Sequence, residues 1–222
     1  MTVEDRPSSA RDMLRGLHAL AGPFEKDIDD AAADPVSMFL DWLSAAIAAG
    51  QPEPHAMTLS TVDAEGLPDA RVLILKDVDA ESWTFATTRN GPKGLQIAAN
   101  PNVALTFYWP LLGRQVRVRG KAQDLGPTVG ATDFRARARD ARAVALMDRQ
   151  SEALDRPAQI DEAFQRQRAR LDADPSLVSA NWAAYAVTAH AVEFWKGSED
   201  RRHWRLKFTR EGAGWSKKRL WP

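Results

Sequence analysis

The chain has 222 residues, with 30 basic and 30 acidic side chains, so its formal net charge is zero. This balance excludes the long-range basic field that attracts nucleic acid or an anionic membrane, and we predict neither partner. Hydrophobic residues make up 44% of the chain, enough for a substantial core. Cysteine is absent, which excludes disulfides, thiolate catalysis and cysteine metal ligation, and fits a reducing cytoplasm.

The first 33 residues are expected to form a peripheral segment that is mobile without ligand. They hold a Pro-Ser-Ser stretch at 7–9 and a cluster of acidic side chains between 25 and 30, and they bury little in this interpretation. Their start lacks the apolar stretch of a signal peptide, and no apolar run in the chain is long enough to cross a bilayer. We expect residues 34–222 to form one domain.

The first clear element is a helix that begins at Asp34 and Pro35. Aspartate caps a helix, and proline is tolerated at the first helical position because no amide donor is needed there. Apolar residues then recur at spacings of three and four, at Met38, Phe39, Trp42, Leu43, Ala46 and Ile47. Gly50 is predicted to end this helix.

Short runs rich in β-forming residues predict strands over 57–62, 70–78, 83–87, 103–109, 114–125, 184–195, 203–209 and 215–220. A short helix is predicted over 92–99, and helical sequence dominates 127–171. Its clearest helix follows residues 155–157, with one side formed by Ile160, Ala163, Phe164 and Leu171.

Sequential hairpins with inserted helices favour an antiparallel sheet or barrel. A parallel nucleotide-binding sheet would need regular strand–helix alternation and a glycine-rich fingerprint, which the sequence lacks.

The positions of several charged residues predict which way their side chains point or what they can bind. Arg71 and Lys76 differ by five positions, so on a regular strand they point to opposite faces. Lys93 stands near a helix start, where free amides and the positive dipole end stabilise a phosphate. Arg201 and His203 are two apart, which predicts that they share one side of a strand. The remaining histidines fit no paired metal spacing, and we predict no metal.

Six short motifs occur in a characteristic order, at 71–76, Lys93, 114–115, 149–151, 193–195 and 201–205. In this order they resemble the pyridoxamine 5′-phosphate oxidase family of flavin enzymes. The resemblance covers roughly residues 34–222. It implies a mainly β fold, an antiparallel split β-barrel with flanking helices. It also implies FMN as cofactor and a homodimer with FMN at the subunit interface.

The resemblance assigns roles to individual positions of this chain. It implies FMN contacts at Arg71, Val72, Leu73, Ile74, Leu75, Lys76, Ala86, Thr87, Lys93, Gln115, Gln150, Ser151, Trp195 and Arg205. It implies substrate contacts at Lys76, Arg137, Arg201 and His203, of which Arg201 and His203 also serve catalysis. The implied reaction oxidises pyridoxamine or pyridoxine 5′-phosphate, with oxygen as acceptor and hydrogen peroxide as product.

The chain departs from the family pattern where the substrate phosphate binds. Asp133 and Ala141 stand at the places of a tyrosine and a serine that hold this phosphate, and only Arg137 matches. Aspartate repels a phosphate, and alanine has no donor. A separate departure lies beside Lys93, where Pro92 replaces an arginine of the family and contributes neither a charge nor an amide donor to a phosphate.

Three hypotheses for the function therefore stay open. The first is oxidation of a vitamin B6 phosphate, which Lys76 favours. The second is oxidation of a different ring substrate, as in phenazine-biosynthesis flavin oxidases, which tend to lack that lysine; Asp133 and Ala141 favour this hypothesis. The third is a flavin- or pyridoxal-phosphate-binding protein without turnover, against which Arg201 and His203 argue. We also expect residues 1–33 to close over the site.

Overall fold

The computed structural model describes residues 9–17, 20, 24, 27–28 and 31–222. Its strands are β1 (Ala56–Val62), β2 (Pro68–Val78), β3 (Ser82–Thr88), β4 (Asn102–Trp109), β5 (Arg114–Asp124), β6 (Trp182–Lys196), β7 (Trp204–Glu211) and β8 (Gly214–Arg219). Its helices are α1 (Ala10–Arg15), α2 (Pro35–Ala48), α3 (Pro92–Ala99), α4 (Pro127–Ala136), α5 (Arg139–Leu146) and α6 (Ala158–Ala173). The eight strands match the predicted ones to within about two residues at each end, which is the usual uncertainty of element boundaries.

Six of the strands form a closed antiparallel barrel, which β7 and β8 extend on one side. Neighbouring strands follow the order β3-β2-β1-β4-β5-β6, and an additional β3–β6 pairing closes the ring. The first part of β6 pairs with β3, whereas its last part pairs with β7, which in turn pairs with β8. The predicted antiparallel split barrel with flanking helices is thereby confirmed.

A bulge in β6, opposite Gly120, marks the point where β6 changes from one neighbour to another. The register between β5 and β6 shifts between Arg119 and Gly120, opposite the middle of β6. A Cβ built on Gly120 would lie 2.3 Å from the carbonyl oxygen of Thr188, closer than any side chain tolerates. Only glycine allows the two backbones to approach this closely, and the resulting bend directs β6 from β3 towards β7.

The barrel core follows from strand alternation. Val116 and Val118 are fully buried, whereas Arg117 between them and Arg119 after them are exposed, as strand geometry requires. One end of the core is filled by α2, whose Phe39 is fully buried with its ring centroid 4.8 Å from that of Phe107. Helix α2 therefore closes the barrel through aromatic packing.

The predicted helix at residue 34 is confirmed, with one error on its apolar face. The Asp34 carboxylate accepts hydrogen bonds from the Val36 and Ser37 amides, each at 2.9 Å. Ile47, expected on the buried face, is 61% exposed. It stands in the last turn of α2, so the apolar spacing continues beyond the part of the helix that contacts the barrel.

A second, smaller apolar cluster lies under the helical segment. It consists of Phe134, Ala143, Leu146, Leu171 and Trp182. The predicted helical stretch is thus three helices, α4, α5 and α6, packed on one another and on the start of β6. On the predicted side of α6, Leu171 and Phe164 pack against this cluster, while Ile160 and Ala163 face an open cleft.

The N-terminal segment is partly integrated into the barrel. Ile28 is 1% exposed and belongs to the barrel core, and Lys196 Nζ donates to the Asp27 carbonyl at 2.8 Å. The expectation that residues 1–33 bury little is therefore wrong at Ile28. Most other residues of this segment, and hence its expected mobility and closure, lie outside the described residues. Among the helices that the structure describes, none combines the length and apolarity needed to span a bilayer.

Candidate functional site

A cleft of about 690 Å³ lies between the barrel and the helical segment. Val72, Ile74 and Ala86 of β2 and β3 form its apolar floor, and Met147 and Ile160 line the facing wall. The cleft lies on the outer face of the barrel, because the residues that alternate with these along each strand point into the core. An apolar slot of this size with a few polar groups is typical of a small-molecule site.

At one end of the cleft, two cations line the cavity and a carboxylate lies beside them. Lys76 Nζ lies 3.5 Å from the Asp133 carboxylate, which also accepts a hydrogen bond from Trp182 Nε1 at 2.8 Å. The Arg137 guanidinium lies over the Trp182 ring, 4.1 Å from its centroid. Burial lowers the pKa of Arg137, and the charge of Asp133 opposes this shift.

The other end adjoins a pair of poorly solvated cations at the start of α3. Lys93 is only 6% exposed and donates to the amide oxygen of Gln150, which lines the cleft. Burial lowers the pKa of Lys93, and the nearby Arg71 charge lowers it further. Arg71 itself forms an ion pair with Asp69 and donates to the Thr61 hydroxyl. Two cations held close together with little water are stabilised by a bound anion, and a helix start adds free amide donors.

A second group of expected site residues lies at the far end of β6. Gln115, Trp195 and Arg205 are in register across β5, β6 and β7. The His203 ring lies 4.7 Å from the Trp195 ring, centroid to centroid. Glu193 pairs with Arg205 at 2.8 Å, which fixes the guanidinium beside this group.

Arg201 and His203 do not share one side of a strand, so the prediction made from their spacing is wrong. Strand β7 begins at Trp204, so both residues stand in the preceding loop and do not share a strand face. Arg201 adopts φ 62°, a left-handed conformation that reverses the chain, and the His203 Nδ1 accepts a hydrogen bond from the Ser198 amide at 3.2 Å. The loop, rather than strand alternation, places His203 beside Trp195.

The structure thus brings together part of the expected site. The cleft is lined by Val72, Leu73, Ile74, Lys76, Ala86, Thr87, Arg137 and Gln150. Arg71 and Lys93 adjoin it, and Ser151 is exposed next to Gln150. Leu75 differs, because its side chain is buried in the barrel core. Arg71 and Lys76 have separate surroundings, as their spacing predicts.

The two groups remain apart within one chain. Ala86 pairs with Ala184 near the start of β6, whereas Gln115 pairs with Trp195 near its end. The eleven residue steps between Ala184 and Trp195 correspond to roughly 35 Å of strand. Gln115, Trp195, Arg201, His203 and Arg205 therefore do not line the cleft of their own protomer.

Sequence reasoning missed several residues of the cleft. Trp182 was not predicted as a site residue, yet it contacts both Asp133 and Arg137. Asp148 lines the cleft and accepts from Asn181, while its other oxygen is buried without a partner among the described residues. No local pattern distinguishes these residues from ordinary loop and core positions, because their neighbours come from distant parts of the chain.

Comparison with known proteins is consistent with this geometry. The family described as pyridoxamine 5′-phosphate oxidase matches residues 43–174. The pyridoxine 5′-phosphate oxidase C-terminal dimerisation region matches residues 182–222. The second match contains Trp195, Arg201, His203 and Arg205, so the group that lies away from the cleft falls in a region named for dimerisation.

Curated relatives cover nearly the whole chain. The pyridoxine/pyridoxamine 5′-phosphate oxidase of Rubrobacter xylanophilus is 38% identical over 97% of this chain and 100% of its own length. That of Burkholderia vietnamiensis is 39% identical over 88% of this chain and 92% of its own length.

Solved structures share the fold. PhzG from Burkholderia lata, in complex with tetrahydrophenazine-1-carboxylic acid, matches with a TM-score of 0.82 and 24% identity, over 92% of this chain and 100% of its own. A pyridoxamine 5′-phosphate oxidase-related, FMN-binding protein from Nostoc punctiforme matches with a TM-score of 0.71 and 16% identity, over 86% of this chain and 100% of its own. At these identities the likeness concerns the barrel and its flanking helices.

Proposed function

Because the chain belongs to the pyridoxamine 5′-phosphate oxidase family, a family of oxidoreductases, we propose that it is an FMN-dependent oxidase of vitamin B6-type ring substrates. The first substrates to consider are pyridoxamine and pyridoxine 5′-phosphate, with pyridoxal 5′-phosphate and hydrogen peroxide as products. The names of the relatives support this choice, since they agree across full-length matches.

The observation that carries the proposal is the cation pair beside the cleft. Lys93 is buried, and the Arg71 charge disfavours its charged form, an effect that Asp69 offsets only in part; a phosphate beside both cations would relieve the remaining repulsion. The adjoining slot is apolar on its floor and carries the Gln150 amide at its edge, which can both donate and accept. This donor set fits FMN, with the phosphate at Arg71 and Lys93 and the ring system in the slot.

The second group of residues completes the site if two protomers associate. We place Gln115, Trp195 and Arg205 of one subunit against the FMN in the cleft of the other, which gives a homodimer with two equivalent sites. The match of residues 182–222 to a dimerisation region supports this arrangement. So does the separation of about 35 Å along β6, which prevents one chain from building the whole site.

The protein residues hold and orient the substrate. Lys76 and Arg137 line the end of the cleft where an anionic substituent would bind. Arg201 and His203 of the partner subunit would orient the ring and move a proton at the reacting carbon. When bound, FMN supplies the redox chemistry, since it can take up two electrons from the substrate and pass them to oxygen.

The test is an anaerobic reduction. The purified protein is loaded with FMN, pyridoxine 5′-phosphate is added without oxygen, and the flavin absorption is recorded. We expect bleaching, followed by recovery of the colour and release of peroxide when air is admitted. A bound flavin that stays oxidised with both pyridoxine 5′-phosphate and pyridoxamine 5′-phosphate would refute the B6 substrates and favour another ring substrate.

A further inference from the structure

The anion-binding end of the cleft contains its own counter-charge. Lys76 and Arg137 supply two positive charges, and Asp133 supplies a negative charge 3.5 Å from Lys76. The Asp133 side chain is only 18% exposed, so solvent screens it weakly. These three groups therefore carry a net charge of about +1, which offers less attraction to a phosphate dianion than the two cations alone.

The structure also holds Asp133 in this position. Its carboxylate accepts the Trp182 indole N–H at 2.8 Å, and Trp182 packs edge-on against Phe134 with ring centroids 6.1 Å apart. Arg137 also holds Trp182 in place, because its guanidinium lies over the Trp182 ring. The indole donates to one carboxylate oxygen and Lys76 pairs with the other, so Asp133 stays at this end of the cleft even when Lys76 turns towards a phosphate.

The hydrogen-bond donors at this end belong to Arg137 and Lys76. Among the described residues, the Nε of Arg137 is buried and has no hydrogen-bond partner. One of its terminal nitrogens donates to the Ala141 carbonyl at 3.4 Å, a long contact. Arg137 and Lys76 therefore keep N–H donors for a ligand, and net charge rather than the number of donors limits the attraction to a phosphate. These donors suit a hydroxyl or a carboxylate as well as a phosphate.

We propose that Asp133 is a specificity-determining residue that makes the substrate phosphate nearly dispensable. The cleft then takes ring substrates whose substituent at this end carries one negative charge or none, in addition to phosphate esters. This inference rests on the proposed function in one respect, the position of the substrate ring in the cleft. A unit charge within about 6 Å of a phosphate changes its affinity by about tenfold at an effective dielectric near 40.

The experiment compares two ligands that differ only in the phosphate, pyridoxine 5′-phosphate and pyridoxine. Their dissociation constants are measured by equilibrium dialysis against the FMN-loaded protein in the dark without oxygen. The wild-type protein is expected to prefer the phosphate ester by less than about tenfold. Asp133→Asn, which keeps the acceptor for Trp182, is expected to raise this preference by at least about tenfold.

Two control variants separate charge from shape. Asp133→Glu keeps the charge and is expected to retain the wild-type ratio. Asp140→Asn removes the same charge from an exposed site in the neighbouring helix α5, where Asp140 pairs with Arg168 at 3.4 Å. It is expected to leave the ratio unchanged within twofold, since exposed charges are screened.

The outcomes separate this inference from the proposed function. A wild-type preference above about 100-fold, or an unchanged ratio in Asp133→Asn, would overturn the role of Asp133. So would failure of both ligands to bind at millimolar concentration. Flavin bleaching is read separately: if both ligands bind with the expected ratios and neither reduces the flavin, the specificity inference holds and the proposed oxidase activity fails.

Discussion

Replacing Lys93 by methionine is expected to stabilise the apoprotein and to weaken FMN binding. Lys93 is 6% exposed, and both burial and the Arg71 charge lower its pKa. In the apoprotein its charge is therefore unfavourable. In the FMN complex the same charge would meet a phosphate, so one substitution has opposite effects on the two states.

The magnitudes follow from burial and hydrogen bonding. Methionine has a similar length and no charge, and exchange of a poorly compensated buried ion for an apolar side chain stabilises by about 1 kcal/mol. For a domain of this size that corresponds to a rise in Tm of about 2–4 °C. Loss of a charge-assisted hydrogen bond to the FMN phosphate costs about 1.5–3 kcal/mol, which raises Kd roughly 10- to 150-fold.

The assay combines thermal unfolding of the apoprotein with fluorescence titration of FMN. Lys121→Met is the matched control, because Lys121 is an exposed lysine on β5. It should change neither Tm by more than about 1 °C nor Kd by more than about twofold. If Lys93→Met lowers the apoprotein Tm and leaves the FMN Kd unchanged, Lys93 is not part of an anion site and the reasoning is refuted.

Three further predictions concern pH and the fold. The pKa of Lys93 lies below its usual 10.5, and a bound phosphate raises it. FMN affinity is therefore complete at lower pH and falls as pH rises through the pKa of Lys93 in the apoprotein. Over the same pH window the apoprotein gains stability, because the unfolded chain binds more protons than the folded one. Lys93→Met should flatten the pH dependence of both FMN affinity and apoprotein stability. If the variant leaves both unaltered, Lys93 is not the titrating group. Gly120→Ala should cost more than about 3 kcal/mol in urea unfolding, because its Cβ would lie 2.3 Å from the Thr188 carbonyl oxygen. Gly214→Ala, with its closest contact at 3.8 Å, is the control, and equal losses in both variants would reject the role of the bulge. Ile28→Ala should cost about 2–4 kcal/mol, as for other buried isoleucines, whereas Leu14→Ala, at a position 61% exposed, should cost less than about 0.5 kcal/mol. An Ile28→Ala loss as small as that of Leu14→Ala would mean that this residue does not belong to the core.

Local sequence rules predicted most of the elements for physical reasons. The α2 cap depends on contacts within three residues, between Asp34 and the amides that follow it. The alternation around Val116 and Val118 depends only on strand geometry. The same rules failed at Ile47 and Ile28, because burial depends on which distant element covers a side chain.

In the candidate site, too, some features were predicted from the sequence and others were not. The resemblance carried by the order of the motifs predicted the split barrel. Of the residues that it implied, Lys76, Arg137 and Gln150 line one cleft with 72–74, and Lys93 adjoins it, whereas Leu75 lies in the core. Arg201 and His203 were assigned to a strand because a spacing of two suggests alternation, but a left-handed residue in the loop decides their position.

Residue types and local spacing by themselves predicted an antiparallel sheet or barrel and placed Lys93 near a helix start, and the resemblance to the family added the split barrel and the departures at Asp133 and Ala141. Only the tertiary structure decided that Asp133 is held between Lys76 and Trp182. It alone also separated the cleft from the group around Trp195, because the chain closes a barrel whose longest strand carries the two groups at opposite ends. Contacts between residues far apart in sequence decide both features, and no local pattern encodes such contacts.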